Sequence, residues 1–338
     1  MRYNTRLRVA RAAIAAAAGL FAFGASSPGS AQGPALQRWR HAIIEPKGDA
    51  GFQVMAVRAG FVAKQGLKLE LPYFQNDVIA LRALFAGEVD SYEGGVVAAL
   101  MAAARNADLK IIGCHWQTVV HSVFARVEFK GPHDLKGNTL AISAPNATPD
   151  LIGRAYLAQN NVPAAAVKFA SLGNDADRFK AMLAGLALAT VISIEFLPIA
   201  EPAGIKLVAR GGDVMPNYLR LCTVSTGKLL AARREDAIRF LTAQMQGYRH
   251  ALANPQEEIR ITREITGMKA DDPRPEFIFQ EASRPGTGVD PTMPVAMHKL
   301  EWLQGELIKA GTLAQRIDVG RLVDTDIRAQ ALARAGMQ

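Results

Sequence analysis

Short apolar strands and helices alternate along most of the first two hundred residues, and this alternation restricts the fold more than any other feature of the chain. The pattern predicts strands at 42–44, 67–71, 89–92, 109–114, 119–125, 139–142, 167–170, 188–193 and 205–209. Such a βαβα rhythm is typical of mostly parallel sheets covered by helices. After Ser225 the composition becomes helical, with long amphipathic helices predicted at 233–253 and 292–310. The sequence therefore predicts an α/β fold completed by a helical C-terminal segment.

The N-terminus has the pattern of an export signal. Its basic residues are Arg2, Arg6, Arg8 and Arg11. An uncharged, alanine-rich run at 12–25 and a small-residue region follow, and they predict cleavage near Ala31 and a periplasmic mature protein. A retained anchor is the alternative. Loss of residues 1–31 would remove four arginines and no acids from a net charge of +8, so the mature chain is too weakly basic to indicate a nucleic-acid partner.

The mature chain exceeds the size that one hydrophobic core usually supports, which predicts two lobes. The two cysteines, Cys114 and Cys222, stand far apart and match no metal-binding spacing. Two buried free thiols are the expected state, although an oxidising compartment would also permit a disulfide.

The most specific local pattern is a polar turn, a short strand and a loop of small polar residues that opens a helix, at 134–159. Thr148 is the predicted N-cap of that helix, Pro149 fits its first position, and Asp150 complements its positive end. Free backbone N–H groups and small hydroxyls at this helix start suit a ligand oxygen or an anion.

Loops of this kind recur after five predicted strands, and in an open sheet such loops share the edge where ligands bind. Glycines there let a ligand approach the backbone, and short polar side chains supply hydrogen bonds. The predicted ligand-binding residues are Asp49, Gln75, Asn76, Gly94, Gly95, Trp116, Ser143, Asn146, Ala147, Thr148, Asn174 and Glu195.

Three residues have alternative interpretations. Trp116 suits packing as well as stacking on a ligand ring. Arg178 could reach a ligand carboxylate, but a solvated helix face is the expected place for it. Glu195 could meet a ligand amine, and the expected alternative is that it caps a short helix ending near Ala200.

Motifs for a serine nucleophile, a P-loop, a metalloprotease or a dithiol are missing from the sequence. His115 and His121 are spaced irregularly for a metal pair. The sequence therefore predicts a binding protein without a cofactor or a metal rather than an enzyme.

The stretch from Asp134 to Asp150 resembles a signature of ABC-transporter periplasmic substrate-binding proteins of the nitrate/sulfonate/taurine and thiamine-precursor type. Residues 84–90 and 223–230 resemble further passages of that family, and the resemblance extends over roughly residues 40–265. It implies the type II periplasmic-binding-protein fold, in which two lobes with mixed, mostly parallel sheets are joined by two hinge crossovers.

Placed on this chain, the resemblance implies crossovers near 124–128 and 220–225. The first lobe would comprise 37–127 together with 224–338, and the second lobe 128–223.

The resemblance also implies a function. The chain would be a monomer that delivers a sulfonate, carboxylate or pyrimidine-like molecule to an ABC permease at the inner membrane. Residues 184–189 lack the family's usual acid, and 194–198 replace its tryptophan-containing stretch, which leaves the ligand open. An enzyme of the same fold acting on a pyrimidine or other small heterocycle precursor is one alternative, but it should carry a reactive histidine and a cysteine-rich motif. A periplasmic ligand-sensing module is the other.

Overall fold

A computed structural model describes residues 36–44 and 46–337 of the chain, and the predicted export signal lies outside them. The strands are β1 Gln37–Ile44, β2 Leu67–Glu70, β3 Tyr73–Phe74, β4 Ser91–Gly94, β5 Lys110–Trp116, β6 His121–Arg126, β7 Thr139–Ile142, β8 Lys168–Ser171, β9 Ala189–Ser193, β10 Ile205–Ala209 and β11 Leu221–Ser225. The α-helices are α1 Ala50–Arg58, α2 Phe61–Lys64, α3 Asp77–Phe85, α4 Val96–Ala103, α5 Thr148–Gln159, α6 Asp175–Leu183, α7 Leu197–Ala200, α8 Gly211–Val214, α9 Gly227–Ala232, α10 Arg234–Ala253, α11 Pro255–Thr266, α12 Arg274–Ala282, α13 Met297–Lys309 and α14 Thr325–Arg334.

The strands form two mixed sheets. The first has the order β2-β1-β4-β11-β5, with β3 paired to β1, and the second has the order β10-β6-β9-β7-β8. Strand β1 runs parallel to β2, β3 and β4, and β7 runs parallel to β8 and β9. Strands β11 and β6 are antiparallel to their neighbours. The predicted fold class is confirmed.

The chain passes between the sheets at positions other than those predicted. Strand β6 pairs with β9 from His121 to Ala125, so it belongs to the second sheet, and the first crossover is 117–120 rather than 124–128. Strand β11 pairs with β4 and β5 in the first sheet, which places the second crossover at 210–220. Both predicted crossover positions are wrong, because the partners of a strand lie far apart in sequence and only the tertiary structure determines them.

Helices α1 and α2 are separated by Gly60, which adopts a left-handed conformation (φ +75°). Helix α10 packs directly on α1 at Gly247. A Cβ atom at that glycine would lie 2.7 Å from the backbone nitrogen of Ala56, so only glycine permits this close approach. The C-terminal half of α1 is thereby packed closely against α10.

The outer edge of β5 is covered by the C-terminal segment. The backbone N–H of Cys114 donates to the carbonyl oxygen of Met293 (3.2 Å), and the N–H of Asp324 donates to that of Ile111 (3.0 Å). These bonds satisfy backbone groups that an edge strand would otherwise leave open.

A disulfide bond joins Cys114 to Cys222, which corrects the expectation of two free thiols. The two residues lie opposite each other in the antiparallel pair β5–β11. Since the cysteines stand 108 residues apart in sequence, their proximity depends on the sheet order and leaves no local signal. Within the described ranges, no helix combines the length and the apolar character that a membrane span requires.

Candidate functional site

Loops at the carboxyl ends of strands from both sheets meet in the structure. After β1, the Lys47 Nζ atom lies 2.6 Å from Asp175 Oδ2, at the start of α6 beside the second sheet. The neighbouring Gly48 N–H donates to Glu195 Oε2 (3.0 Å), in the loop after β9. A Cβ atom at position 48 would lie 2.8 Å from that oxygen, so a glycine allows the contact. These two contacts bring a loop of the first sheet against two loops of the second, and this junction is called the cleft below; the sequence predicted ligand-binding residues in these loops.

Asp175 is the centre of a buried ion cluster in the cleft. Arg178 Nη2 and Lys47 Nζ both donate to its carboxylate, and His121 Nε2 lies 3.6 Å away. Burial alone would raise the pKa of Asp175, but Lys47 and His121 outweigh it and hold that pKa well below its usual value. Burial lowers the pKa of His121. The lysine, which sequence reasoning missed, therefore enters the cleft already paired with a carboxylate.

Arg178 is buried, which corrects its expected place on a solvated helix face. Besides bonding Asp175, it donates from Nε to the carbonyl oxygen of Val191 (3.1 Å) in β9 and from Nη1 to that of Gly173. Arg178 thus attaches the start of α6 to the second sheet, and its donors are used within the protein.

Asp49 forms the second ion pair, with Arg220 at the end of the second crossover. The Asp49 Oδ2 atom lies 2.7 Å from Arg220 Nη2, and the guanidinium carbon lies 4.1 Å from the ring centroid of Trp116. Burial would raise the pKa of Asp49, but the charge and hydrogen bond of Arg220 lower it. Sequence reasoning selected Asp49 and Trp116 but missed Arg220, a lone arginine without a motif around it.

The predicted anion site at the start of α5 is partly filled by the chain itself. The N–H of Asn146 donates to Asp150 Oδ2 (2.8 Å), and Asp150 is buried. The N-cap is Ala147 rather than Thr148, which is the first helical residue. The Thr148 hydroxyl instead lies 2.6 Å from the hydroxyl of Tyr218. Thr148 therefore faces the second crossover, while Ser143 is partly buried at the end of β7.

The predicted amide ligands of the cleft have local partners. Asn76 caps α3 by accepting from the N–H of Ile79 (3.1 Å), and Asn174 caps α6 by accepting from that of Asp177 (2.9 Å). Gln75 is exposed. The N-cap of α3 is thus Asn76, and Asp77 is the first residue of the helix.

Asp77 instead contacts the glycine turn after β4. Its Oδ1 atom accepts from the N–H of Gly95 (3.2 Å), and a Cβ atom at Gly94 would lie 2.0 Å from the same oxygen. Burial raises the pKa of Asp77 to about 6. The two glycines therefore serve close contact with a carboxylate of the chain at this position.

Glu195 is buried and does not cap the short helix, which corrects the alternative interpretation. Its carboxyl group reaches Gly48 across the cleft, and Ser193 caps the turn instead. Burial and the charge of Asp49 raise the pKa of Glu195 to about 7, against the opposing effect of Lys47. Glu195 thus contributes a carboxyl group that is partly protonated near neutral pH.

A buried polar layer lies between the first sheet and helix α10. Glu93 on β4 accepts from the Tyr248 hydroxyl (2.9 Å) and from Gln53 Nε2 (3.2 Å), and His115 stacks on the Tyr248 ring with 4.4 Å between centroids. Burial lowers the pKa of His115 and lowers that of His41 to about 4, so both rings are neutral at pH 7. Sequence reasoning missed this layer, whose signal was polar side chains at buried strand positions.

The site offers buried charged and hydrogen-bonding groups. In the part of the chain that the structure describes, no group of three or more His, Cys, Asp or Glu residues could hold a metal ion, and the two cysteines are bonded to each other. The arrangement is suited to binding a small polar molecule.

Comparisons with known proteins give a matching family model and solved structures of similar fold. The family model described as "NMT1/THI5 like" matches residues 49–258. The structure is similar to the periplasmic aliphatic sulphonate binding protein SsuA from Escherichia coli, with a TM-score of 0.72, 16% identity and coverage of 86% of this chain and 92% of that one.

Two further solved structures are similar to it. The ligand binding component of an ABC-type import system from Staphylococcus aureus, with zinc bound, has a TM-score of 0.70 and 14% identity and covers 87% of this chain and 99% of its own. The desulfurization enzyme DSZB has a TM-score of 0.65 and 12% identity, with coverage of 88% and 99%. At these identities the likeness shows the fold. No match was found among the curated proteins.

Proposed function

Because the chain belongs to the NMT1/THI5-like family, we propose that it is a periplasmic solute-binding protein that holds one small polar or anionic organic molecule between two lobes. The observation that carries this proposal is the meeting of Lys47 with Asp175 and of Gly48 with Glu195, which joins loops of the two sheets at one cleft. Charged and polar groups that converge between two units of structure are typical of a ligand site.

Binding would work through the two crossovers, 117–120 and 210–220, as hinges. Each lobe would be built on one sheet, with the C-terminal helices completing the first. A ligand that contacts both sides of the cleft stabilises the closed arrangement by its differential affinity for that arrangement. The closed protein is then the form that a permease would recognise.

The proposed partner is an ABC permease at the inner membrane; in support, the similar Staphylococcus aureus protein is the ligand binding component of an ABC-type import system. Export with cleavage near Ala31 would bring the chain to it. The disulfide between Cys114 and Cys222 supports an oxidising compartment, because such bonds persist mainly outside the cytosol.

We propose that the chain is not an enzyme, although DSZB shares its fold. A thiol nucleophile would have to come from Cys114 or Cys222, and these two are bonded to each other. A sensory role would use the same ligand-dependent closure. Stimulation of a permease by the liganded protein would distinguish transport from such a role.

The test replaces Thr148, whose hydroxyl faces Tyr218 in the cleft, by leucine. The matched control is Thr287→Leu in an exposed loop. A thermal-shift screen of small carboxylates, sulfonates and pyrimidines should find a ligand of the unmodified protein, and small-angle scattering should show compaction on binding. We expect Thr148→Leu to lose both responses with the circular dichroism spectrum unchanged, and the control to keep them. Equal binding and compaction in both variants would contradict the cleft assignment.

A further inference from the structure

Arg220 is held in one orientation by three contacts. Its guanidinium group stacks on the Trp116 ring at 4.1 Å, Nη2 pairs with Asp49 Oδ2 at 2.7 Å, and its backbone N–H donates to the carbonyl oxygen of Trp116 at 3.2 Å. The side chain is only 10% exposed. A planar guanidinium fixed by stacking loses little further freedom when it binds an additional group.

One nitrogen of this guanidinium forms no hydrogen bond within the described residues. Arg220 Nη1 is buried and has no hydrogen-bond partner among residues 36–44 and 46–337. A charged donor enclosed without an acceptor is costly, more so than a neutral one. The lysine and the other arginine described in the cleft, Lys47 and Arg178, both donate to Asp175. Unlike Lys47 and Arg178, Arg220 therefore has a positively charged group that includes a buried donor without an acceptor.

A second buried atom without a hydrogen bond belongs to the residue before Trp116. His115 Nδ1 lacks a hydrogen-bond partner within the described ranges, and the nearby Glu93 Oε2 atom lies 3.6 Å from it. Burial lowers the pKa of His115, and the charge of Arg220 adds to this effect while that of Glu93 opposes it. The neutral imidazole is thus a further hydrogen-bonding group on the same strand as Trp116.

We propose that Arg220 is the anion-binding residue of the cleft and that the ligand carries a carboxylate or sulfonate oxygen that accepts a hydrogen bond from its Nη1 atom. This inference rests on the proposed solute-binding function and narrows it, because a neutral pyrimidine-like ligand would leave that donor without a charged acceptor. Asp49 already balances the charge of the guanidinium, so a ligand oxygen would be held by the directed hydrogen bond from Nη1 rather than by surplus positive charge. Asp49 and Trp116 act as positioning residues for Arg220.

The experiment measures affinities by isothermal titration calorimetry for linear two- to eight-carbon sulfonates and carboxylates, for their primary amides and sulfonamides, and for 4-aminopyrimidine. The variants are Arg220→Gln and Arg220→Lys. Arg38→Gln is the matched control, because Arg38 is exposed and pairs with Glu70. Circular dichroism verifies folding, and Arg220→Lys decides the test if Arg220→Gln does not fold.

We expect the unmodified protein to bind at least one acid and not its amide. Arg220→Gln should weaken that binding roughly 10- to 150-fold, as for loss of one hydrogen bond to a charged group. The affinity of Arg220→Lys for the acid should lie between those of the unmodified protein and Arg220→Gln, because lysine keeps the charge but not the planar group that stacks on Trp116. Arg38→Gln should bind normally.

The remaining outcomes separate this inference from the function on which it rests. If the acid binds equally well to both Arg220 variants, or if only amides or 4-aminopyrimidine bind, the inference is wrong and the solute-binding function stands. If the unmodified protein binds no probe of either kind, the proposed function is contradicted and the inference with it.

Discussion

Replacing Cys114 and Cys222 together by alanine should destabilise the protein strongly. The disulfide closes a loop with a sequence separation of 108, and every strand of the second sheet lies inside that loop. In the unfolded chain the bond restricts all of these residues at once. Its removal gives the unfolded ensemble conformations that the native state does not gain.

The magnitude follows from the loop length. For a sequence separation of 108, the chain-entropy relation gives about 16 cal/mol/K, or about 4.8 kcal/mol at 25 °C. For a folded unit of roughly 300 residues, this free energy corresponds to a fall in Tm of roughly 8 °C. Alanine avoids a buried hydroxyl, so the change reports mainly the loss of the cross-link.

The assay is urea unfolding followed by circular dichroism, for the unmodified protein and the double variant, each with and without dithiothreitol. We expect dithiothreitol to move the unfolding midpoint of the unmodified protein to that of the variant and to leave the variant unchanged. Equal free energies of unfolding, within about 1 kcal/mol, would refute the reasoning, because the predicted effect is several times larger.

Three further predictions concern the cleft and the helix packing. The folded pKa of Glu195, about 7, exceeds its ordinary value of 4.5, so the unmodified protein should lose stability as the pH rises from 5 to 8. Over that range the free energy of unfolding of Glu195→Gln, measured by urea titration, should therefore rise by about 3 kcal/mol relative to that of the unmodified protein. A difference that does not change with pH would contradict this. Gly247→Ala should lower the free energy of unfolding by about 2 kcal/mol or more, since the new Cβ atom would meet the backbone of Ala56, and an unchanged midpoint would exclude that contact. Lys47→Met should favour the open form by about 1 kcal/mol, because it removes the ion pair with Asp175. Small-angle scattering of the ligand-free variant should then give a larger radius of gyration, and an unchanged radius would show that the pair does not hold the lobes together.

Much of the local structure could be predicted because its signals are local. Strands at 139–142 and 205–209 have the predicted bounds, since polar or glycine residues stand on both sides of short apolar runs. The predicted start of α5 is wrong by one residue, because Thr148 suits either the N-cap or the first turn and only the backbone conformation of Ala147 distinguishes these two positions.

The pairings within the site could not be predicted in the same way. Lys47 meets Asp175 across 128 positions of sequence, and Arg220 meets Asp49 across more. The sequence around a single charged residue does not indicate its partner. Asp49 could therefore be selected from its place after a strand, but Arg220, which pairs with it, could not. Only the fold decides which charges are enclosed together.

The covering of strand β5 by the C-terminal segment has a consequence for how the chain must be made. The residues that close this edge, around Met293 and Asp324, follow the strands of both sheets in the sequence and are therefore synthesised after them. Until they arrive, the first sheet presents an open row of backbone donors and acceptors, which is a template for pairing with another chain. A nascent or truncated chain that ends before residue 288 should therefore aggregate through β5 even when its two sheets have formed, and holding back folding until synthesis is complete would protect it.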